Sequence, residues 1–360
     1  MFFQVLNRDS LLNIFQFTSA HELARFHLHI VNGSKNEEMI SIFSSVLYGN
    51  IFPFLANFLN FSPYIQWLSR TGIKIQFFAM HDRYHYCRHN FKDYWLHPMR
   101  KKYDYIDDAD IKRLTESTGN DLRMLRLKTN TNSFSISSII NIASHCHSVE
   151  EFELDISEQL CVIPFPVWKD DDDDDDDDDQ QHVVVEEKWQ LQDCEIKLLS
   201  FHLPNLRKVQ ICGEGIKWLT GESAGAFLKH CPLLEDLRFL QGEDFVRDIF
   251  FSHLHPNENL QILYITSSYG YITNDGLHSF NKFPKLNNLF LSYEDQDDSI
   301  DRIDNDGIAN LLECCCPNLT LQKLFIGCSQ MRTNLRYDNS YMDNFVAFDN
   351  DCFEYGCCAP

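Results

Sequence analysis

Basic residues are scarce in this chain: 31 Lys and Arg stand against 53 Asp and Glu, a formal net charge of −22 over 360 residues. Nucleic acids and anionic membrane surfaces carry the same sign, so neither is expected as a main partner. Long apolar runs are missing. The greasiest stretch, from Ser41 to Phe61, is broken by Gly49, Asn50, Pro53, Asn57 and Asn60. It reads as a buried pair of helices rather than a membrane span. The N-terminus "MFFQVLNRDS" lacks the basic region, apolar run and small-residue cleavage site of a signal peptide. Without that signal, the 13 cysteines read as reduced thiols used as small apolar side chains, which points to cytoplasm or nucleus.

What is present is repetition. A proline followed two residues later by leucine recurs in "LPNL" at Leu203, "CPLL" at Cys231, "FPKL" at Phe283 and "CPNL" at Cys316, with "CHSV" at Cys146 as a weaker copy. An apolar-x-x-apolar-x-apolar pattern follows: Val149/Phe152/Leu154, Leu206/Val209/Ile211, Leu234/Leu237/Phe239 and Leu286/Leu289/Leu291. Leu122/Leu125/Leu127 and Leu260/Leu263/Ile265 repeat it without the proline, and Leu321/Leu324/Ile326 fits best as a less tidy last copy. Successive copies from Leu206 through Leu234 and Leu260 to Leu286 are 28, 26 and 26 residues apart. Two longer steps hold the uninterrupted run Asp170–Asp179 and the acidic "EDQDDSIDRID"; solenoids tolerate insertions at such loop positions. Ten adjacent carboxylates repel one another, so the first is expected to be a solvated loop. Between strands, "ISSIINIASHC" places Ile136, Ile139, Ile140 and Ala143 on one helical face. An irregular earlier copy is expected at "GIKIQFFAM", with Ile73, Ile75 and Phe77 alternating, closed by the helix "DDADIKRLTEST".

This pattern resembles the leucine-rich-repeat family, in particular the cysteine-containing repeats common in F-box proteins, over roughly residues 73–326. The resemblance implies an α/β horseshoe solenoid of about seven to nine repeats. The segment "NRDSLLNIFQFTSAHELARFHLHIVNGS" resembles an F-box, with Leu11, Leu12, Ile14 and Phe15 on an opening helix and Leu23 beginning a second. It departs from that family in opening with Asn7-Arg8 instead of Leu-Pro, and in "IVNGSKNEE" where a Val-Cys segment leads to Trp. The alternative is a helical cap over the open end of the solenoid. The division expected is 1–45 for the F-box-like module, 46–72 for a helical linker or cap, 73–330 for the solenoid with its acidic insertion near 168–182, and 331–360 for a C-terminal tail or cap.

One motif competes. Gly221-Glu222-Ser223-Ala224-Gly225 matches the G-x-S-x-G pattern and looks like a carboxylesterase nucleophile turn. The flanking "GIKWLT" is a poor strand, and no Gly-Gly pair exists for the family's oxyanion element. The repeat reading instead places Ser223 near the start of a helix with Phe227 and Leu228 at core positions.

Because side chains alternate along a strand, the residue between the last two apolar positions faces outward. Those residues run Arg126, Glu153, Gln210, Arg238, Tyr264, Phe290 and Phe325. Three successive exposed aromatics make Tyr264, Phe290 and Phe325, with Arg238 at their edge, the expected target-binding patch; the alternative is that the C-terminal tail covers them. Asp304, Asp306, Gly307 and Glu313 imitate a calcium loop, but Arg302 occupies its first ligand position. "CCC" at Cys314–Cys316 lacks a second pair at zinc spacing. No metal and no cofactor are expected. The resemblance implies a non-enzymatic substrate receptor of an SCF ubiquitin ligase, with the ligase adaptor and cullin as partners of the N-terminal module and an unknown protein target on the concave face. A repeat scaffold without a ubiquitin role, and a serine carboxylesterase, stand as alternatives.

Overall fold

The computed structural model describes residues 50–57, 61–80, 106–130, 132–157, 190–216, 219–242, 248–267, 272–293, 307–311 and 321–328, with single positions between 10 and 46. Nine strands pair in parallel, in chain order, into one sheet. Strand β1 (Ile51–Asn57) leads to helix α1 (Phe61–Thr71), β2 (Lys74–Ala79) to α2 (Asp108–Thr118), β3 (Met124–Asn130) to α3 (Ile136–His145) and β4 (Glu151–Ser157) to α4 (Asp193–His202). The alternation continues with β5 (Lys208–Cys212), α5 (Gly221–His230), β6 (Asp236–Gly242), α6 (Asp248–Ser252), β7 (Ile262–Ser267), α7 (Asn274–Leu277), β8 (Asn288–Tyr293) and β9 (Lys323–Cys328). Each helical crossover returns the chain beside the strand it has just left. The result is an unclosed α/β solenoid of the leucine-rich-repeat type.

The repeated apolar pattern builds the core. Leu122, Leu125, Val149, Leu154, Leu206, Val209, Leu234, Leu237, Leu260, Leu263 and Leu286 are all fully buried, and one apolar cluster runs from Phe15 to Leu311. The last copy is looser, with Leu321, Leu324 and Ile326 only partly buried against that cluster. The cysteine of the repeat turn serves the backbone: the Cys231 thiol lies 3.5 Å from the Leu203 carbonyl and 3.6 Å from that of Ser200. Where the next repeat lacks a cysteine, the buried Asn257 amide donates to the Leu228 and Cys231 carbonyls, both at 3.2 Å.

Three expectations are corrected. The sheet begins at Ile51 rather than residue 73, so "IFPFLAN" is a strand and not part of a linker or helix pair. It is the edge strand, where proline removes no needed ladder donor, and Pro53 lies within its register shift between Phe52 and Leu55. In β2 the buried set is Ile75, Phe78 and Ala79; Phe78 pairs with buried Leu125, and the only partly buried Phe77 pairs with Met124. Helix α3 buries Ile139, Ile142 and Ala143, while Ile136 and Ile140 are half exposed. Ser135 caps that helix by accepting from the Ser137 N–H, which fixes the helix start and so the face it turns inward.

The long step between β4 and α4 is fastened at both ends. Gly213 has φ +99°, a left-handed conformation suited to glycine, and a β-carbon there would strike the Ile156 backbone. Ile156 is fully buried under this turn. At the return, buried Leu191 donates its N–H to the Gly215 carbonyl at 3.0 Å. The Asp170–Asp179 run between them lies outside the described residues, as do the C-terminal tail, Cys314–Cys316, Arg302, Asp304, Asp306 and Glu313.

Candidate functional site

The strand pairing puts Arg126, Glu153, Gln210, Arg238, Tyr264, Phe290 and Phe325 in one row across seven strands, each opposite the next. A parallel register two residues earlier adds Met124, Glu151, Lys208, Asp236, Ile262, Asn288 and Lys323. The side chains flanking this row in sequence, such as Leu125 and Leu263, are buried on the helix side. The row therefore faces away from the helices.

Its N-terminal half is a charge lattice. Arg126 lies 3.3 Å from both Glu151 and Glu153, Gln210 donates to Glu153 at 3.4 Å, and Lys128 reaches Asp155 at 3.7 Å. Burial, with Asp155 and Glu153 adding to it, pushes the Cys212 thiol well above its ordinary range. Arg238 closes this half. Its Nε and Nη2 donate to the two oxygens of buried Asp236 at 2.8 and 2.9 Å. That two-pronged geometry holds the guanidinium in one orientation.

The C-terminal half is aromatic. Tyr264 and Phe290 stack with centroids 4.0 Å apart and planes 7° apart; Phe290 and Phe325 stack at 4.3 Å and 8°. In-register strands impose this, since they lie only about 4.8 Å apart. The rings spend their faces on one another. Phe290 is just 8% exposed, so the expectation of three exposed rings is corrected to a stack whose middle member is buried. Burial pushes the Tyr264 phenol up to about 12, with Arg238 pulling the other way.

Ser223 is placed on α5, fully buried, and its hydroxyl donates to Asp193 Oδ1 at 2.5 Å. The same carboxylate accepts from Thr220 N–H at 2.9 Å and Thr220 Oγ1 at 2.7 Å. Asp193 opens one helix and Thr220 caps the next, so the group fastens two repeats. It recurs. Asp108 accepts from Ser135 N–H and Oγ at 2.9 and 2.5 Å and also from Ser138 Oγ. Asp248 accepts from Thr273 N–H and Oγ1 at 3.0 and 2.6 Å, and Gly276 stands where the helix serine would be, since a β-carbon there would overlap Asp248. Ser223 is thus buried within a helix and bonded to a carboxylate, as Ser138 is to Asp108, which is the geometry of a fastener between repeats and not of an exposed strand-to-helix turn. The signal was in the sequence: each aspartate precedes its Ser or Thr cap by 25 to 27 residues, one repeat.

The N-terminal residues divide. Phe15 and Leu23 are each 1% exposed and belong to the core cluster, with Phe15 6.5 Å from Phe52 of β1. Both side chains are therefore packing residues of the core. Leu12 is partly buried against the same core; Leu11 and Ile14 lie outside the described residues. Among the described residues no three His, Cys, Asp or Glu side chains gather to hold a metal, and no helix is long and apolar enough to cross a membrane.

No protein-family model and no curated protein matches the chain. Among solved structures it is similar to a chain in the complex of Rad7 and Elc1 from yeast, at 12% identity and a TM-score of 0.42, covering 81% of this chain and 62% of that one. It is also similar to the leucine-rich-repeat-containing protein LegL7 from Legionella pneumophila, at 10% identity and a TM-score of 0.23, covering 59% of this chain and 69% of that one. The chain thus spans less than two thirds of the first of these neighbours.

Proposed function

We propose that this chain is a protein-binding repeat module that holds a target on the exposed face of its sheet, and that it serves as the substrate receptor of an SCF-type ubiquitin ligase. The observation that carries the binding reading is the in-register row that changes from charge lattice to aromatic stack at Arg238. A rigid aromatic strip bordered by a fixed guanidinium is the composition of an interface anchor. The ligase role draws on the F-box-like N-terminus. Since Phe15 and Leu23 are core residues, adaptor contact would rest on Leu11, Leu12 and Ile14. The mechanism is proximity: the adaptor and cullin hold one end while the sheet face keeps the target near the ubiquitin-charged enzyme.

A scaffold role without ubiquitin is favoured by the same burial, because helices fused to the core are what a cap requires. A pull-down of the full chain separates the two. Recovery of the SCF adaptor and cullin, lost in a Leu11→Asp, Ile14→Asp variant that keeps its circular dichroism, is the expected result. Absence of both from the wild-type pull-down would leave the scaffold.

A further inference from the structure

We infer that the edge of the solenoid where helices end and strands begin binds an acidic, partly apolar peptide segment of a partner protein, on a surface separate from the sheet face. The repeat sets a basic residue at this edge five times in succession. His145, His202 and His230 end α3, α4 and α5, His253 follows α6, and Lys282 ends the short 3-10 turn His278–Lys282. The turns to the next strands add His147, His255 and Lys285, and Lys229 precedes His230.

These side chains form one band. The rings of His147 and His202 lie 6.2 Å apart. Phe201 follows, its centroid 5.3 Å from His202 and 5.7 Å from His230, edge-on to both. A β-carbon on Gly225, one turn before Lys229, would overlap the His253 carbonyl and touch the His255 ring, so α5 and the turn after α6 meet closely. Desolvation, then the positive charges of Lys229, Lys282, His230 and His253, push His255 below its ordinary range.

Carboxylates are scarce at this edge in a chain that has 53 of them. Glu150 and Glu235, at the strand end of the turns, are taken by Arg123 and Arg207. Glu258 is the remaining acidic residue of these turns, against Lys229, Lys282, Lys285 and six imidazoles. Lys282 donates only to the Leu254 carbonyl, at 3.0 Å. A helix C-terminus carries about half a negative charge, which suits one cation per helix. It does not explain His147, His255 and Lys285, which lie outside helices, or the pair Lys229 and His230 on α5.

The band therefore asks for negative charge, and its apolar members ask for more. Phe201 is 67% exposed and Leu233, on the turn after His230, is 40% exposed. A phosphodiester chain has no apolar side chain to cover them; a peptide bearing carboxylates and apolar residues meets both needs. Alternate carboxylates of an extended segment stand about 7 Å apart, near the His147–His202 spacing. The net charge of −22 does not forbid this, because repulsion beyond about 8 Å is screened at physiological salt. His145 and His147 direct Nδ1 at the Asn141 and His202 carbonyls, at 2.9 and 3.1 Å, which leaves each Nε2 to donate to a carboxylate once protonated. Imidazole gains charge between about pH 8 and 5, so the band should hold an acidic segment more tightly as pH falls.

The test is fluorescence anisotropy of the full chain with a labelled peptide alternating Glu and Leu, its Lys-for-Glu counterpart, and a single-stranded oligothymidylate. The Glu peptide should bind, and about tenfold more tightly at about pH 6 than at about pH 7.5. The double change Lys229→Glu, His255→Glu should weaken it by about tenfold or more, and Phe201→Ser by about fivefold. All three positions are exposed, so the urea midpoints should not move. Tyr264→Ala should have no effect. If Tyr264→Ala weakens binding and the edge variants do not, the peptide lies on the sheet face: this inference fails and the protein-binding reading stands. No binding of the Glu peptide, or equal binding of the Lys peptide or the oligothymidylate, overturns the acidic peptide partner without touching the sheet-face reading. Binding that emerges only after deletion of Asp170–Asp179 overturns the partner as occupant in favour of the chain's own aspartates.

Discussion

Replacing Asp193 by alanine probes the fastening between repeats. That carboxylate accepts three hydrogen bonds, two from Thr220 and one from Ser223. Thr220 is exposed, so water can replace what it loses at little net cost. Ser223 is fully buried, and stranding its hydroxyl costs about 1–3 kcal/mol. Losing a negative charge from the first turn of α4 adds about 0.3–1 kcal/mol through the helix dipole. Asp193→Ala should therefore destabilise the chain by roughly 1–4 kcal/mol. Ser223→Ala strands nothing, because Asp193 is only partly buried and keeps Thr220; its cost should be about 0.5–1.5 kcal/mol. In the double variant no hydroxyl is stranded, so it should be more stable than the sum of the two singles by about 1 kcal/mol. Urea unfolding followed by circular dichroism, comparing midpoint and slope for the four proteins, measures this. A neutral Asp193→Ala, or plain additivity, refutes the fastener. Ser223→Ala should also leave any hydrolysis of a p-nitrophenyl ester unchanged, and a loss specific to that variant would restore the nucleophile.

Three further outcomes are expected. Phe290→Ala should cost about 2–4 kcal/mol, close to the roughly 2–5 kcal/mol of Leu289→Ala, because Phe290 is buried between two rings; a cost under about 0.5 kcal/mol in the same urea titration would show that the stack is not formed. Deleting Asp170–Asp179 should leave the circular dichroism intact and the melting temperature within a few degrees, upward if relief of repulsion dominates; a collapse of the melt would make the run a structural ligand site. Burial pushes the thiols of Cys146 and Cys231 up to about 12, so at mildly alkaline pH mass-mapped alkylation should label exposed Cys194 well before either, and labelling of Cys231 ahead of Cys194 would contradict its burial.

The solenoid was legible because the same three leucine-type positions recur about once per repeat, and a parallel sheet turns that period directly into register. The row from Arg126 to Phe325 followed from the alternation alone. The first strand was not legible: "IFPFLAN" carries no leucine spacing, and only its pairing with β2 makes it a strand. The α3 face was misread because isoleucines sit on both sides of that helix, and its cap decides which side turns inward. The fate of Phe15 and Leu23 was hidden for a related reason. An amphipathic helix shows that one face needs cover, not whether the cover is another protein or the chain's own first repeat. The stacked rings likewise required the strand spacing, since sequence gives three aromatics in a row but not whether they stand apart or lean together.

The turn formed by Gly213 and Gly215 over Ile156 has a consequence for engineering. Departure and return of the long insertion are bolted to one small piece of backbone, so an exchange of the aspartate run is expected to leave the flanking strands in register. That junction is a port. A reporter, an affinity tag or a small folded domain with closely spaced ends, spliced in place of the aspartate run, would be carried between the fourth and fifth strands without altering the spacing of the row on the sheet.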